Sequence, residues 1–234
     1  MEKVKKVSIL IPVFNEQATL SILYKKVMAV SLGPLQKEII IVDDHSTDGT
    51  REQLQSLNGS PSTKIFYHEK NLGKGAALRT ACKEATGDIL IIQDADLEYS
   101  PEEYPKLIEP ILEGKADVVY GSRMLSAPHR VLLFWHYLGN KFLTLLTNVV
   151  CDMNLSDMET CYKLFKREVL QEVQWKSNRF GFEPEFTVKV AKKGFRIFEV
   201  PISYNGRSYA EGKKITWKDG AKAVFTILWF RLFD

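Results

Sequence analysis

Ile89-Leu90-Ile91-Ile92-Gln93-Asp94-Ala95-Asp96-Leu97-Glu98 is the stretch on which the fold turns. Four consecutive apolar residues, without a polar alternation, read as a strand covered on both faces, as in a parallel sheet. Apolar runs of similar length recur at residues 7–13, 38–42, 64–67 and 117–120. Helix-like stretches separate them at residues 16–30, 50–57, 73–85 and 102–112, the last opened by the start signal Ser100-Pro101-Glu102-Glu103. This alternation predicts an α/β fold with a mostly parallel, twisted sheet and helices on both faces. Ligands of such sheets bind beyond the carboxyl ends of the strands. The chemistry-bearing residues fall there: Asn15 and Glu16 after the first strand, Asp43 and Asp44 after the second, and Asp94, Ala95 and Asp96 after the fourth.

A chain of 234 residues, 45% hydrophobic and 26% charged, can bury a substantial core, and its length fits one large domain spanning residues 1–234. The net charge of +3 is too small to imply nucleic acid as a partner. Residues 179–222 nevertheless hold ten Lys or Arg against five Asp or Glu, which reads either as a surface facing anions or as a solvated helix face. Cys82, Cys151 and Cys161 are scattered without metal-ligand spacing. That argues against a disulfide framework or a zinc site and suits a reducing cytosol. The N-terminal MEKVKKVSILIPVFNE has a basic start and a short apolar run, but no small-residue cleavage site follows, so it reads as a first strand.

From residue 131 the alternation stops. VLLFWHYLGNKFLTLLTNVV (131–150) has the length of a membrane span, yet His136, Gly139, Asn140 and Lys141 lie in its middle. Phe134, Leu138, Phe142, Leu145 and Val149 recur at three- and four-residue spacing, which predicts an amphipathic helix. A second such segment, 217–233, carries Phe225, Leu228, Trp229, Leu232 and Phe233. Both either cover the core or, beside a basic stretch, lie as interface helices on a membrane surface. The surface reading, with no added transmembrane helices, predicts a peripheral protein at the cytosolic face of a membrane. A separate membrane-protein partner or a homo-oligomer would complete it.

Carboxylates two residues apart beyond a strand end, Asp94 and Asp96 with Glu98 next, suit a hard cation such as Mg²⁺ or Mn²⁺ that keeps positions open for phosphates. In Asp43-Asp44-His45-Ser46-Thr47-Asp48-Gly49 the side chains suit hydrogen bonds to a nucleobase or ribose, while Asp48 also reads as a helix cap. Asn71-Leu72-Gly73-Lys74-Gly75-Ala76-Ala77 resembles a phosphate-cradling turn without the full phosphate-loop pattern.

The motifs PVFNE (12–16), DDHSTDGT (43–50) and DADLE (94–98), in that order, resemble the inverting family 2 glycosyltransferases of the glycosyltransferase-A fold. Gly121-Ser122-Arg123, the apolar segment near Asn140, and Arg207 followed by Glu211-Gly212-Lys213-Lys214 narrow the likeness to the dolichol- and polyprenyl-phosphate sugar transferases. The resemblance implies a nucleotide-sugar donor, GDP-mannose or UDP-glucose, and a polyprenyl or dolichyl phosphate acceptor. It implies a donor site lined by Pro12, Val13, Asn15, Glu16, Asp43, Asp44, Lys74, Asp94, Ala95 and Asp96, with Mg²⁺ or Mn²⁺ on Asp94, Asp96 and Glu98. Arg123, Arg207, Lys213 and Lys214 would meet the acceptor phosphate, and Asp96, Arg123, Arg207 and Asp157 would form the catalytic set. Glu98 departs from the Gln common in relatives and adds negative charge to the metal site.

The mechanism so implied is one in-line displacement at the anomeric carbon with inversion. A lipid phosphate is already anionic and needs no strong base, whereas a sugar hydroxyl as acceptor would need one, for which Asp157 and Glu159 are the candidates. A protein of this fold that only binds would be expected to have a damaged carboxylate cluster, and here it is intact. A nucleotidyltransferase would carry a glycine-rich basic loop after the first strand, which PVFNE does not supply.

Overall fold

Runs of Ile, Val and Leu without interruption become strands with both faces buried, and the amphipathic stretches between them become the covering helices. The computed structural model describes residues 4–57, 60–125, 127–131, 133–208, 211 and 217–234. The first half runs β1 (Lys6–Val13), α1 (Leu20–Ala29), β2 (Gln36–Asp43), α2 (Thr50–Leu57), β3 (Thr63–Tyr67), α3 (Lys74–Glu84) and β4 (Ile89–Ile92). A 3₁₀ turn at Pro101–Glu103 then leads into α4 (Tyr104–Leu112), followed by β5 (Val118–Ser122). The second half adds α5 (Phe134–Cys151), β6 (Lys163–Lys166), α6 (Val169–Glu172), α7 (Phe182–Lys192), β7 (Ile197–Pro201) and α8 (Trp217–Leu232).

The seven strands are ordered β3-β2-β1-β4-β6-β5-β7, all parallel except β6, which runs antiparallel to both β4 and β5. Side chains alternate between two cores. Ile9, Ile11 and Val13 of β1 pack with Ile39 and Ile41 against Leu20, Leu23 and Val27 of α1, Leu54 of α2 and Leu107 of α4. Leu10, Ile40, Val42, Leu90 and Ile92 face the other way, onto Ala77, Leu78 and Ala81 of α3, Phe182 and Phe186 of α7, and Ile227 of α8. Each such side chain contributes about 1.5–3 kcal/mol when fully buried. The sheet with helices on both faces is the architecture that the alternation predicts.

Two strands are absent from that expectation. β6 is four residues, Lys-Leu-Phe-Lys, ended by lysines, and β7 reads IFEVP with a charge at its centre. Neither has the apolar run that marks a strand by sequence, and tertiary pairing with β4 and β5 selects them. Helices α6 and α7 are likewise absent from that expectation, and among the helices it does contain the differences are at boundaries: α1 begins at Leu20 rather than 16, and α4 at Tyr104 rather than 102.

β1 is the point of divergence, with β2 and β3 on one side and β4 on the other. The loops leaving β1 and β4 therefore part above the sheet and open the crevice that the fold reserves for ligand. Helices α5 and α8 pack together on the outside, and Arg231 Nε of α8 donates to Val150 O of α5 at 2.6 Å. No helix among the described residues is long and apolar enough to cross a membrane.

Candidate active site

Three loops that leave β1, β2 and β4 each contain a non-glycine residue with left-handed backbone: Asn15 (φ 51°), His45 (φ 67°) and Leu97 (φ 63°). For leucine that conformation is strained, and strain of this kind collects at functional sites. The first two loops clasp each other. Asn15 N–H donates to Ser46 Oγ at 2.9 Å, Thr47 N–H to Asn15 Oδ1 at 2.8 Å, and Glu16 N–H to Thr50 Oγ1 at 3.0 Å. Val13 lies in the core beneath the clasp, where its carbonyl accepts the Asp44 N–H at 2.8 Å. Asp48 caps α2 as expected, its Oδ1 accepting the Thr50 N–H at 3.1 Å.

Asp43 and Asp44 have protein partners. Asp43 is fully buried and takes Arg51 Nε at 2.6 Å and the Ser46 N–H. Asp44 accepts the N–H groups of Leu72 and Gly73 at 2.8 and 2.7 Å and pairs with His68 Nδ1 at 2.8 Å. The turn at 71–77 differs from the expected phosphate cradle, because its amides already hold a carboxylate of the chain. Its glycines serve close packing instead. A Cβ on Gly75 would lie 2.2 Å from Ser177 O, and one on Gly73 2.4 Å from Asn178 O. That neighbouring segment is fixed by Glu185, which accepts the N–H groups of Lys176 and Ser177 at 2.7 and 2.8 Å.

Ala95 points into the core while Asp94 and Asp96, on either side of it, face the crevice. Asp94 meets Lys74 Nζ at 2.8 Å, and the same ammonium meets Glu183 Oε1 at 2.9 Å and Cys161 Sγ at 3.1 Å. Burial opposes charge on Asp94, but Lys74 outweighs it and holds the carboxyl below its usual range. Asp96 is pushed the other way, up to about 7, by burial and by the charges of Asp94 and Glu98. Arg207 answers that excess of negative charge: Nη2 lies 2.9 Å from Asp96 Oδ2 and Nη1 3.4 Å from Glu16 Oε2. Glu98 is turned to the 204–207 segment, accepting Tyr204 O–H at 2.8 Å and the Arg207 N–H at 2.7 Å. Its place differs from a shared three-carboxylate centre. Among the described residues no three acidic, Cys or His side chains converge as a metal cage.

Arg123 forms the other wall. Its Nε and Nη2 make a bidentate pair with Asp157 at 2.7 and 2.8 Å, its N–H donates to Asp157 Oδ2 at 3.0 Å, and its guanidinium lies 5.2 Å from the Tyr204 ring centre. Asn140 Nδ2 of α5 adds a fourth bond to Asp157 at 2.9 Å. This corrects the reading of Asp157 as a catalytic group. Fully buried and held below the usual carboxylate range by Arg123, which outweighs burial, it positions the arginine and is no base. Glu159 is pushed up to about 8 by burial and by Glu183, and its Oε1 is buried without a partner. The expected acceptor residues Lys213 and Lys214 lie outside the described residues.

The model of glycosyl transferase family 2 matches residues 8–174. The chain belongs to that family. This family 2 glycosyltransferase is 31% identical over 211 residues to the dolichol-phosphate mannosyltransferase of Pyrococcus furiosus, a match covering 89% of this chain and 59% of that protein. To the undecaprenyl-phosphate 4-deoxy-4-formamido-L-arabinose transferase of Yersinia enterocolitica it is 29% identical, covering 91% of this chain and 63% of the other. The chain thus spans about three fifths of the length of these relatives. Among solved structures, glucosyl-3-phosphoglycerate synthase from Mycobacterium tuberculosis in complex with Mn²⁺, UDP and phosphoglyceric acid superposes with a TM-score of 0.73 at 19% identity. That match covers 98% of this chain and 80% of the other, and shows the shared glycosyltransferase-A fold. The same enzyme is known in complex with Mg²⁺ and UDP, at a TM-score of 0.74 and 20% identity over 97% of this chain and 79% of the other.

The chemistry of two donors in this site would suit a divalent cation. Asp94 and Asp96, two residues apart just beyond β4, offer hard oxygen donors, and the Arg207 guanidinium at Asp96 marks where the site attracts positive charge. Three participants escaped the sequence reading. Glu183 and Cys161 approach Lys74, and Tyr204 joins the Arg123 and Glu98 sides. For Glu183 a signal existed, an acid amid the aromatic residues of Arg179-Phe180-Gly181-Phe182-Glu183-Pro184-Glu185-Phe186.

Proposed function

We propose that this chain transfers a hexose from a nucleotide diphosphate-sugar, GDP-mannose or UDP-glucose, to a polyprenyl or dolichyl phosphate, with inversion at the anomeric carbon. The observation that carries this reading is the joining of an acidic wall and an arginine wall in one crevice. Tyr204 covers Arg123 with its ring and holds Glu98 with its hydroxyl, while Glu98 fixes the backbone of Arg207 beside Asp96. Asp94 and Asp96 would hold Mg²⁺ or Mn²⁺, whose charge neutralises a leaving diphosphate. The clasp of Asn15 and Glu16 with residues 46–50 sets the mouth for the nucleoside beside Pro12, Asp43 and Asp44. Arg123 and Arg207 have the planar geometry for phosphate oxygens, and an anionic acceptor explains why the pocket needs no strong base. The names of the two transferases compared above support the same acceptor class.

In a thermal-shift screen of nucleotide sugars with Mg²⁺ or Mn²⁺, GDP-mannose or UDP-glucose is expected to raise the melting temperature by several degrees at saturating concentration. No stabilisation by any nucleotide sugar would sink the reading.

The reading extends to a membrane surface at the cytosolic face. Phe134, Trp135, Phe142, Leu145 and Val149 on α5 and Phe225, Trp229 and Leu232 on α8, with Phe233 just beyond it, are exposed, and the two helices pack side by side. Apolar side chains on that scale, next to Lys218 and Lys222, suit insertion among anionic headgroups. Sedimentation with anionic vesicles at low salt is expected to carry the protein into the pellet, and Trp135→Ser with Phe225→Ser to release it. A protein that stays in the supernatant under those conditions would end the membrane reading.

A further inference from the structure

Helix α5 carries polar side chains on its inward face, where packing alone would favour apolar ones. Asn140, Thr144 and Asn148 recur every four residues and so share one face, while Leu138, Phe142, Leu145 and Val149 occupy the opposite, exposed one. All three polar side chains engage one short segment, residues 155–158. Asn148 Oδ1 accepts the Leu155 N–H at 2.9 Å, and its Nδ2 donates to the Leu155 carbonyl at 2.8 Å. Thr144 Oγ1 accepts the Met158 N–H at 3.1 Å and donates to Asn140 Oδ1 at 3.3 Å. Asn140 Nδ2 in turn donates to Asp157 Oδ1 at 2.9 Å. Thr147, fully buried on the same face, differs, because its hydroxyl returns to Leu143 O of its own helix at 2.9 Å.

The segment is gripped from the other side as well. Glu199 of β7 accepts the N–H groups of Ser156 and Asp157 at 2.8 and 3.1 Å and the Ser156 hydroxyl at 2.9 Å. Asp157 is thereby held from two directions with both carboxylate oxygens on Arg123. A connected and satisfied polar network of this kind specifies a single arrangement.

We infer that Asn140, Thr144 and Asn148 are positioning residues for a phosphate acceptor, which set the direction of the Arg123 guanidinium through Asp157. The inference rests on the reading of Arg123 as a group that meets an acceptor phosphate. A guanidinium binds phosphate oxygens through a planar fork, so its use depends on orientation as well as charge, and a misplacement of about 1 Å can cost on the order of a hundredfold.

The test is calorimetric binding to the full chain without vesicles, so that membrane contact plays no part. The acceptor probe is farnesyl phosphate, a prenyl phosphate short enough to be used in solution, and UDP or GDP with Mg²⁺ is titrated separately. Asn140→Leu, Thr144→Val and Asn148→Leu, each close in shape to the native residue, are expected to weaken farnesyl phosphate binding on the order of tenfold, with nucleotide affinity within about twofold of wild type. Asn140→Leu leaves the Arg123–Asp157 pair in place, so its fold is expected to survive. Thr144→Ser keeps the hydroxyl and is expected to bind as wild type does. Thr147→Val, outside the ladder, is expected to leave farnesyl phosphate affinity unchanged even where it lowers the melting temperature. Unchanged farnesyl phosphate affinity in all three ladder variants, an equal loss of nucleotide affinity, or the same loss in Thr147→Val overturns the positioning role and leaves the transferase reading standing. Binding of nucleotide but not of farnesyl phosphate by wild type overturns both that role and the acceptor reading.

Discussion

Replacing Asp96 by Ala is expected to lower turnover by about a thousandfold or more while leaving the fold intact. The two halves of that expectation have separate causes. A divalent cation contributes several kcal/mol of charge stabilisation to a departing diphosphate, and ~4 kcal/mol corresponds to a rate factor of about 10³. Stability should not suffer, because the ionised carboxylate is opposed in the folded chain by burial, Asp94 and Glu98, which together raise it to about 7. Its loss relieves repulsion on its two acidic neighbours, and Arg207 keeps Glu16 at 3.4 Å and its backbone bond to Glu98. Strained, self-repelling sites of this type trade stability for function. Turnover of a lipid-phosphate acceptor and the melting curve of the same sample check both halves. Wild-type turnover in the variant would remove the metal role from Asp96.

Asp157→Ala is expected to be the most destabilising single change near the site, by roughly 3–5 kcal/mol, which for a chain of this size lowers the melting temperature on the order of 10 °C. The side chain of Asp157 has no solvent exposure and that of Arg123 only 15%, so the variant strands a guanidinium with little water and without its bidentate counter-charge. The Arg123 N–H and Asn140 Nδ2 lose their acceptor at the same time. Packing and chemistry can be separated by Arg123→Met combined with Asp157→Leu, which removes both charges and is expected to recover most of the melting temperature without recovering activity. If the double variant were active, Arg123 would have no part in meeting the acceptor. A melting curve unchanged in Asp157→Ala would mean that the pair is not the anchor its geometry describes.

These two residues mark how far the sequence could be read. Asp96 was legible because its signal is local: an apolar run of strand length ends, carboxylates follow, and a parallel sheet presents strand ends to ligand. The same logic located Asn15, Glu16, Asp43 and Asp44 at one edge. Asp157 was misread as a catalytic group because its role depends on Arg123, 34 residues earlier, and on Asn140 of α5. The motif at 71–77 shows the same limit. Glycines flanking a lysine resemble an anion cradle, yet the occupant is Asp44 and the reason for Gly75 is the carbonyl of Ser177. The strands β6 and β7 were invisible for a related reason, since four or five residues with charges among them become strands only when β4 and β5 stand ready to pair.

The amino-acid sequence by itself determined the α/β architecture, the edge of the sheet that bears the chemistry, and the two amphipathic helices. Each depends on periodicity and strand length, which act over neighbouring residues. Only the tertiary structure decided which carboxylates remain available. Lys74 reaches Asp94 and Glu183 across the crevice, Arg207 reaches Asp96 from the far end of the chain, and Tyr204 and the Arg207 amide engage Glu98. Charge interactions in a buried site are set by distance through space and by lost solvation, and separation along the chain carries no information about either.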